Sequence, residues 1–392
     1  MRSVTCMLVA GVALAQSVPV SLTDPITGRK LTWFKSPHNE VHHYYDISPW
    51  DPTGRKLLFF RFDSSVDKLT ARGRYPGSLW VMNADGSIPA RVADRVEGNY
   101  HTGANQFWGP GGKSVYFSQS SRTIEADLAT GKKQNLETPV RANRIGPDFR
   151  TISCVEGKEW GVYDLATRQY KRLLTLDQAR AMSPSQTELK DNPSSLQNTR
   201  FSPDGSRIII VHRTNEDFPR VVEVFVYDFR SGIVKHVVGD LHHPTWRPDS
   251  KAILFVRRRA SDNLQSLMEV DVASGRVERR TTSHMPGVHV SYHPKKPHLA
   301  LVDCYGGPMG YGLATVDLRT GEMKQLVTIP LGSKPRPPAD DRFEFRNWGL
   351  WIPQRPYLNE PRPVWSADGS KVLFTSEESG RINLYIVDTS DL

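Results

Sequence analysis

The chain has 392 residues, of which 38% are apolar and 24% are charged, and this balance excludes long disorder, a collagen-like repeat and a coiled coil. Its 51 basic and 42 acidic residues give a net charge of +9, which favours a polyanionic partner. Nucleic acid, an anionic membrane surface and an acidic polysaccharide all meet that description, so composition alone does not choose among them.

The N-terminal residues predict export. Arg2 precedes an apolar run over residues 4–13, and the Ala-Leu-Ala sequence at 13–15 matches the small-residue cleavage site of a secretory signal. We therefore predict a signal peptide over residues 1–15 and a single mature domain over residues 16–392, secreted or periplasmic. Export argues against nucleic acid as the partner, and no later stretch approaches the roughly 20 apolar residues that a membrane span needs.

Two cysteines remain after the predicted signal peptide. Cys154 and Cys304 each lie in an apolar, strand-like run, and the two runs are far apart in the chain. Cysteines in such runs behave as small apolar side chains. We therefore predict two buried free thiols rather than a disulfide.

A repeated pattern then decides the predicted fold. An aromatic or apolar residue, a Pro in most copies, a polar turn and a β-rich run recur seven times. Each copy predicts two strands joined by a tight turn, since Pro fixes φ at the first turn position and Gly or Asp accepts the unusual dihedral that follows. The seven copies lie at residues 48–60, 108–117, 145–154, 201–211, 246–255, 292–302 and 365–374.

A second pattern follows each copy of the first. It consists of a strand that ends near an Asp, a turn with Gly or Thr, and a polar strand. Two hairpins per repeat give four antiparallel strands, which is one blade of a β-propeller. The copies of this second pattern lie at residues 79–87, 124–136, 161–173, 224–237, 268–280, 314–326 and 384–392.

The two ends of the chain complete each other in this pattern. The last repeat stops after its third strand, whereas residues 27–35 resemble a fourth strand without the first three. We therefore predict an all-β, seven-bladed propeller of four-stranded antiparallel blades, in which the N-terminal strand closes the last blade. Three insertions, at residues 61–78, 177–197 and 331–358, are predicted to be loops, where binding residues are often found.

The first strand of each blade borders the central channel of a propeller, so the residues before the repeated turn should converge there. Counting back five positions from the turn Pro reaches Ile47, Asn105, Ala142, Asn198, His243, His289 and Arg362. If the strands alternate regularly, the same face also holds His43, His101, Arg144 and Arg200. A funnel with four His and three Arg suits an anionic ligand, and neutral His is a suitable general base. The predicted substrate-binding residues are His43, Arg144, Asn198 and Arg200.

Three segments carry a resemblance to a known family. They are HHPTWRPDSKAILFV (242–256), GVHVSYHPKKPHLALVD (287–303) and EPRPVWSADGSKVLFTSEESGRINLYIVD (360–388). The turn repeats resemble TolB-type propellers in general, and the whole chain, in length and blade order, is similar to the seven-bladed oligogalacturonate lyases. The resemblance implies a carbon–oxygen lyase that cleaves an acidic, uronate-containing glycan by β-elimination.

The resemblance also implies roles for individual residues. In that family a His at the start of one blade is the base and the His of the next blade is a metal ligand, and His243 and His289 match these positions. The remaining ligands form a Gln-x-x-His-x-His run, whose places are taken here by Tyr357, Glu360 and Arg362. Glu360 can still bind a cation but Arg362 cannot. The implied cofactor is therefore a divalent metal, Mn or Ca, held by His289 and Glu360, or none.

The chemistry of elimination explains why such residues are needed. The C5 proton of a uronate is hardly acidic while the neighbouring carboxylate keeps its full charge, so a cation must offset that charge, a role open to Arg362 or a metal. His243 then accepts the proton, and His289, His101 or a Tyr protonates or assists the leaving oxygen. The predicted catalytic residues are His101, His243, His289 and Arg362.

Other functions fit parts of the sequence. Ulvan-type lyases are also seven-bladed propellers with His, Tyr and Arg at the centre, so another uronate polymer is an alternative substrate. A non-catalytic TolB-like propeller that binds a protein or envelope partner is the leading alternative to an enzyme. A propeller glycosidase would need paired carboxylates, and Asp46 and Glu360 are the only acids near the predicted funnel. The expected partner is an acidic oligo- or polysaccharide, bound by a monomer without a membrane span.

Overall fold

A computed structural model of the chain describes residues 17–65, 69, 73–214, 221–258, 265–281, 287–305, 311–332 and 360–392. The predicted signal peptide over residues 1–15 lies outside the described residues, as does most of the predicted loop at 331–358. In the described part of the chain, no helix is long and apolar enough to cross a membrane.

The described strands form seven antiparallel sheets, six with four strands and one with five. This arrangement confirms the predicted seven-bladed propeller. In the first six blades consecutive strands are neighbours, so each blade is a meander of hairpins. The blades are numbered 1 to 7 in chain order, and the first strand named in each is the innermost.

Blade 1 consists of β3 (Asn39–Val41), β4 (Lys56–Phe62), β5 (Tyr75–Asn83) and β6 (Ala90–Gly98). Blade 2 consists of β7 (Phe107–Trp108), β8 (Ser114–Gln119), β9 (Arg122–Asp127) and β10 (Lys133–Leu136). Blade 3 consists of β11 (Ala142–Ile145), β12 (Thr151–Glu156), β13 (Glu159–Asp164) and β14 (Gln169–Thr175). Blade 4 consists of β15 (Ser194–Phe201), β16 (Arg207–Thr214), β17 (Val222–Asp228) and β18 (Val234–Gly239).

Blade 5 consists of β19 (His242–Trp246), β20 (Ala252–Arg258), β21 (Gln265–Asp271) and β22 (Val277–Arg279). Blade 6 consists of β23 (Val290–Tyr292), β24 (Leu299–Tyr305), β25 (Tyr311–Asp317) and β26 (Met323–Thr328). Blade 7 consists of β27 (Val364–Trp365), β28 (Lys371–Ser376), β29 (Asn383–Asp388), β2 (Lys30–Lys35) and β1 (Val18–Thr23).

The repeated turn is built in the same way in blades 4 and 7. The amide of Gly205 donates to the carbonyl of Ser202 over 2.8 Å, and that of Gly369 donates to the carbonyl of Ser366 over 2.9 Å. Both glycines have positive φ, 71° and 76°, which residues with a side chain rarely adopt. The turn chemistry therefore fixes where each inner strand ends.

The N-terminal residues close the ring as predicted, with one more strand than expected. β2 pairs along β29, with Leu31 opposite Val387, and the indole N–H of Trp33 donates to the side chain of Asn383 over 2.9 Å. β1 then pairs along the outer side of β2. The strand predicted to be outermost is therefore covered, and the open edge of the blade moves to β1.

The predicted loop at 177–197 contains two short helices, α1 (Leu176–Met182) and α2 (Gln186–Asp191). α1 begins at a capping box, in which the Thr175 hydroxyl accepts from the Gln178 amide while the Gln178 side chain accepts from the Thr175 amide. The helices lie between blades 3 and 4 in the chain, and Arg180 of α1 donates to the Ser194 hydroxyl at the start of β15.

Apolar side chains fill the spaces within and between blades. One cluster joins blades 4 and 5 through side chains such as Ile209 and Phe255, and another joins blade 6 to blade 7 through Leu313 and Phe374. Cys154 and Cys304 are buried in this core as separate free thiols, which confirms that prediction. The scaffold around the channel is therefore continuous across these blade boundaries.

The innermost strands are irregular near their starts, and this irregularity shapes the site. Pairing shifts register between Gln197 and Arg200 in β15 and between His242 and Thr245 in β19. Left-handed backbone, with φ from 42° to 53°, recurs at the equivalent position of four blades, at Asn105, Asn198, His243 and Arg362. Side-chain-bearing residues rarely adopt this region unless the surroundings hold them there. The strands therefore do not alternate regularly where the prediction assumed that they did.

Candidate functional site

The centre of the ring is crossed by one short segment, residues 42–46, which we call the axial segment. The axial segment follows β3 but is not a strand. Its second half forms a turn, in which the Ile47 amide donates to the Tyr44 carbonyl over 3.0 Å. Its side chains contact blades 3, 4, 5 and 6, although it belongs to blade 1. Those blades lie across the ring from blade 1, so the axial segment must lie near the axis.

The hydroxyl of Tyr44 lies between two histidines from different blades. Its Oη is 2.9 Å from Nε2 of His243 and 2.9 Å from Nε2 of His289. The two imidazole centroids are 4.7 Å apart. Tyr45 packs its ring against both imidazoles and is itself buried. The structure thus brings together the two histidines on which the sequence analysis placed most weight.

A buried carboxylate supports this cluster from behind. Asp303 on β24 lies with Oδ2 at 2.5 Å from Nδ1 of His289, and its Oδ1 accepts the backbone amides of Val288 and His289 over 3.2 and 2.9 Å. Asp303 is fully buried and His289 is 2% exposed, whereas Tyr44 and His243 are half-buried. The cluster therefore presents Tyr44 and His243 to the channel and keeps the other two residues beneath them.

A second group joins the starts of blades 2 and 7. Oε2 of Glu360 is 3.0 Å from Nδ1 of His101, whose side chain is 30% exposed. Burial opposes ionisation of Glu360, but the hydrogen bond and charge of His101, with more distant positive groups, outweigh it and lower the pKa of Glu360 to about 2. Glu360 is thus a carboxylate near neutral pH, and His101 lies at the surface of the channel.

Arg362 lies behind this group. Its guanidinium donates to the carbonyl oxygens of Tyr100 (2.7 Å), Glu360 (3.2 Å) and His101, and it lies 4.7 Å from the centre of the Tyr100 ring. The residue is fully buried. Direct contact between Arg362 and a substrate carboxylate, as the sequence analysis expected, would require the fully buried guanidinium to become accessible.

A third group lies at the other end of the inner strands. Oδ2 of Asp46 accepts from Arg144 over 2.8 Å and from Nε of Arg200. Although burial alone would raise the pKa of Asp46, the two arginines hold it well below its usual range. All three side chains line a cavity of about 620 Å³, together with tryptophans from the repeated turns, Trp50, Trp108, Trp246 and Trp365. The cavity thus lies at the turn end of the inner strands and reaches Tyr45, which separates it from the two imidazoles of the Tyr44 cluster.

The predicted substrate-binding residues do not share one face. Arg144 and Arg200 are buried and committed to Asp46, whereas Asn198 is exposed. His43 is buried, and burial, with nearby arginines, lowers its pKa to about 3, so it is neutral near neutral pH. The register shifts in β11 and β15 break the alternation that would have aligned these side chains.

Sequence reasoning missed two members of the Tyr44 cluster. Tyr44 lies in a run of titratable and aromatic residues, HHYYD at 42–46, directly before the first repeated turn. Asp303 is a carboxylate within the apolar strand LALVDCY, and such a residue is rarely buried unless it has a partner. Both signals were present in the sequence, but neither indicates which blade supplies the partner.

The residues that match a family metal site do not fit a resident divalent metal. Asp303 orients His289 as a carboxylate often orients a metal-bound His. However, Nε2 of His289 faces the Tyr44 hydroxyl, Glu360 is bonded to His101, and the cation Arg362 lies beside Glu360. Tyr357 lies outside the described residues. Within the described ranges, no three His, Cys, Asp or Glu side chains meet as a metal site would require.

Comparisons with known proteins identify the fold. No protein-family model matches the chain. No curated protein sequence matches it either. An oligogalacturonate lyase solved in complex with manganese is similar in structure, with a TM-score of 0.68 and 16% identity over 95% of this chain and 96% of that one.

Two further structures show how widely this fold is used. An oligogalacturonate lyase from Vibrio parahaemolyticus has a TM-score of 0.67 and 14% identity, over 95% of this chain and 97% of that one. Hydrazine synthase from Kuenenia stuttgartiensis has a TM-score of 0.53 and 14% identity, over 87% of this chain and 94% of that one. The chain thus resembles oligogalacturonate lyases in fold over nearly its whole length, and function must be argued from the site.

Proposed function

We propose that the protein is a polysaccharide lyase that cleaves an acidic, uronate-containing glycan by β-elimination. The observation that carries this proposal is the Tyr44 hydroxyl held between His243 and His289, with Asp303 behind them, at the centre of the ring. Elimination needs a group that can take a proton from C5 and a group that can return one to the leaving oxygen. Imidazole and phenol side chains in direct hydrogen-bond contact can do both.

The net charge of +9 and the surroundings of the cluster favour an anionic substrate. His101 is at the channel surface and can hydrogen-bond a uronate carboxylate, while Arg362 adds positive charge from beneath without contacting it. His243 is the base that the sequence suggests, and the Tyr44 hydroxyl lies within hydrogen-bond distance of it as a second candidate. The proposed reaction uses no step through a metal, because the described donors do not assemble a metal site.

The identity of the uronate polymer stays open in this proposal. Oligogalacturonate is the first candidate because of the two similar structures, and an ulvan-type polymer is the second because His and Tyr side chains meet at the site with an Arg nearby. We further propose that the protein acts outside the cytoplasm, on the strength of the apolar N-terminal run and its Ala-Leu-Ala site.

The test is a screen of the mature protein against a panel of uronate polymers and oligomers, with a neutral glucan as the control. We expect at least one uronate substrate to give a product that absorbs in the ultraviolet through its new C4–C5 double bond, and the glucan to give none. Binding of a uronate polymer without any such product would instead support a non-catalytic propeller. A product with an ordinary saturated end would indicate a glycosidase.

A further inference from the structure

We propose that Tyr44 is the residue that exchanges protons with the substrate, and that Asp303, His289 and His243 polarise and position its hydroxyl. This inference rests on the proposed lyase function and deepens it, because it names the reacting atom as Tyr44 Oη. It assigns His243 a supporting role as hydrogen-bond donor, in place of the base suggested by the sequence.

The direction of the hydrogen bonds follows from Asp303. Its Oδ1 accepts two backbone N–H groups, and Oδ2 lies 2.5 Å from Nδ1 of His289, so this nitrogen carries the proton and donates it to the carboxylate. With its proton on Nδ1, a neutral His289 has an acceptor at Nε2. The Tyr44 hydroxyl, 2.9 Å away, is then the donor to His289. These tautomers are assigned from the bonding network.

The same network fixes the state of His243. Once the single proton of Tyr44 is directed to His289, the phenolic oxygen can only accept from His243, whose Nε2 lies 2.9 Å away. Nε2 of His243 therefore carries a proton in this state and is a hydrogen-bond donor. A nitrogen that already holds a proton cannot take another from C5. Tyr44 Oη, by contrast, has an acceptor for its own proton on one side and a donor on the other.

Exposure leaves two candidates for the reacting group, and the hydrogen-bond directions choose between them. Asp303 is fully buried and His289 is 2% exposed, so neither can touch a glycan, whereas Tyr44 and His243 are both half-buried. The arrangement is that of a carboxylate, an imidazole and a hydroxyl in series, which raises the reactivity of the hydroxyl in hydrolases with a serine at the exposed end. Here a phenol occupies that end, and a second imidazole stabilises negative charge on its oxygen.

The two residues that follow Tyr44 fix the axial segment and so hold the phenol in place. Tyr45 packs under the two imidazoles, and Asp46 is bound by two arginines from blades 3 and 4. Burial, with nearby acidic groups, raises the pKa of Tyr44 well above its usual range, so the resting phenol is neutral. The hydroxyl proton of Tyr44 must therefore pass to His289 as the substrate reacts. The mechanism does not require a phenolate in the resting enzyme.

The proposed step balances without an added reagent. Tyr44 Oη takes the C5 proton as its own proton moves to Nε2 of His289, whose positive charge is stabilised by Asp303. The C5–H electron pair forms the C4–C5 double bond, and the C4–O4 bond breaks. The leaving O4 takes the proton from Tyr44, and His289 returns its proton to the phenol. The products are an unsaturated uronate end and a new hydroxyl group.

Tyr44→Phe and Tyr163→Phe are a matched pair for the test, with turnover and binding of the active uronate oligomer as readouts. Tyr44→Phe should lower kcat about 100- to 10,000-fold with little change in affinity, since proton transfer is worth that much. Tyr163→Phe should stay near the wild type, because Tyr163 lies on β13, outside the Tyr44 cluster, and its buried hydroxyl has no hydrogen-bond partner within the described residues. A Tyr44→Phe variant with near-wild-type kcat would overturn the proposal while leaving the lyase function intact. A wild-type protein inactive on every uronate polymer would overturn both.

His243→Gln separates Tyr44 from His243 as the reacting group. A Gln amide can still donate to the Tyr44 oxygen but cannot act as a base, so we expect kcat within about tenfold of the wild type, with His243→Ala lower by about 10- to 100-fold. If His243→Gln is as inactive as Tyr44→Phe, His243 is the base and the proposal fails.

Asp303→Asn tests the positioning role. The amide can donate to Nδ1 of His289 and so invert the tautomer, which would lower kcat by about 100- to 10,000-fold at unchanged KM and unchanged melting temperature. With a C5-deuterated substrate, the isotope effect on kcat should rise, because proton abstraction becomes slower than other steps. A kcat loss explained fully by a lower melting temperature, with no change in the isotope effect, would show a purely structural Asp303.

Discussion

The two ends of the inner strands hold clusters that balance their charges in different ways. At the strand ends, Asp46 is fixed between Arg144 and Arg200, and both arginines are committed to the one carboxylate. At the strand starts, the Tyr44 hydroxyl is hydrogen-bonded to two imidazoles over 2.9 Å, and the buried carboxylate of Asp303 is linked to Tyr44 through His289. The groups of the Asp46 cluster do not exchange protons near neutral pH, so this cluster positions the axial segment. The Tyr44 cluster can exchange protons and can therefore take part in the reaction.

The largest effect should come from breaking the ion-pair cluster. Asp46→Ala leaves two buried guanidinium groups without their carboxylate, which should lower the free energy of unfolding by about 3–5 kcal/mol. Urea unfolding measures this loss in free energy. The control is Asp94→Ala, at an exposed aspartate on β6, which should change the free energy of unfolding by less than about 0.5 kcal/mol. Equal stability of the two variants would show that the cluster does not hold the axial segment.

Arg362→Ala should have the next largest effect, and on stability first. The buried guanidinium donates to three backbone carbonyls, so its loss should cost about 1.5–3 kcal/mol in the free energy of unfolding. Arg381→Ala, at an exposed position, is the control. If Arg362→Ala unfolds like the wild type yet binds uronate poorly, Arg362 contacts the substrate directly, as the sequence analysis proposed.

Acid should weaken the ion-pair cluster in a defined pH range. Burial opposes ionisation of Asp46, but Arg144 and Arg200 lower its pKa from the ordinary 3.8, so its contribution is fully present above that value and is lost as pH falls towards the folded pKa. The stability difference between the wild type and Asp46→Asn should be constant near pH 6 and shrink below about pH 4. A difference that grows in acid would contradict the low pKa.

A chelator should change turnover by less than about twofold, because Nε2 of His289 is bonded to the Tyr44 hydroxyl and Glu360 is bonded to His101. The comparison is activity before and after EDTA dialysis, with Mn²⁺ added back. Complete loss with EDTA and recovery with Mn²⁺ would restore His289 and Glu360 as ligands, together with donors outside the described residues.

Salt should have the smallest effect. Attraction between the basic protein and a polyanion is screened over about 10 Å at 0.1 M salt and about 3 Å at 1 M, so affinity for the uronate oligomer should fall several-fold across that range. Isothermal titration at each salt concentration measures it. Salt-independent binding, or equal affinity for a neutral glucan, would indicate a different class of ligand.

The fold could be predicted from the sequence because its information is local. The repeated turns, most with a Pro followed by polar residues or Gly, predict a hairpin in each repeat, and residues 27–35 match the strand missing from the last blade. β1 was not predicted, although the Gly28 amide and the Asp24 carbonyl close the turn that joins it to β2, because the blade was expected to end at its fourth strand. The helix α1 was also not predicted, although Thr175 and Gln178 form a capping box at its start. The surrounding insertion is polar and has no regular pattern, which is typical of a loop.

The site was predictable only in part, because it is built from contacts between distant blades. His243 and His289 could be found from their repeat position, and the structure brings them together. The left-handed backbone at His243 and Arg362 and the register shifts break the alternation that counting assumed. No pattern within one repeat indicates that residues 42–46 cross the axis, so Tyr44 and its relation to Asp303 required the tertiary structure.

The most direct test is product analysis of the uronate oligomer after incubation with the wild type, Tyr44→Phe and Tyr163→Phe proteins at equal concentration. Mass spectrometry should find an unsaturated uronate product, lighter by one water than a hydrolysis product, with the wild type and with Tyr163→Phe. Tyr44→Phe should bind the oligomer and leave it essentially uncut. Unsaturated product at the wild-type rate from Tyr44→Phe, or hydrolysis product from the wild type, would contradict elimination through the Tyr44 hydroxyl.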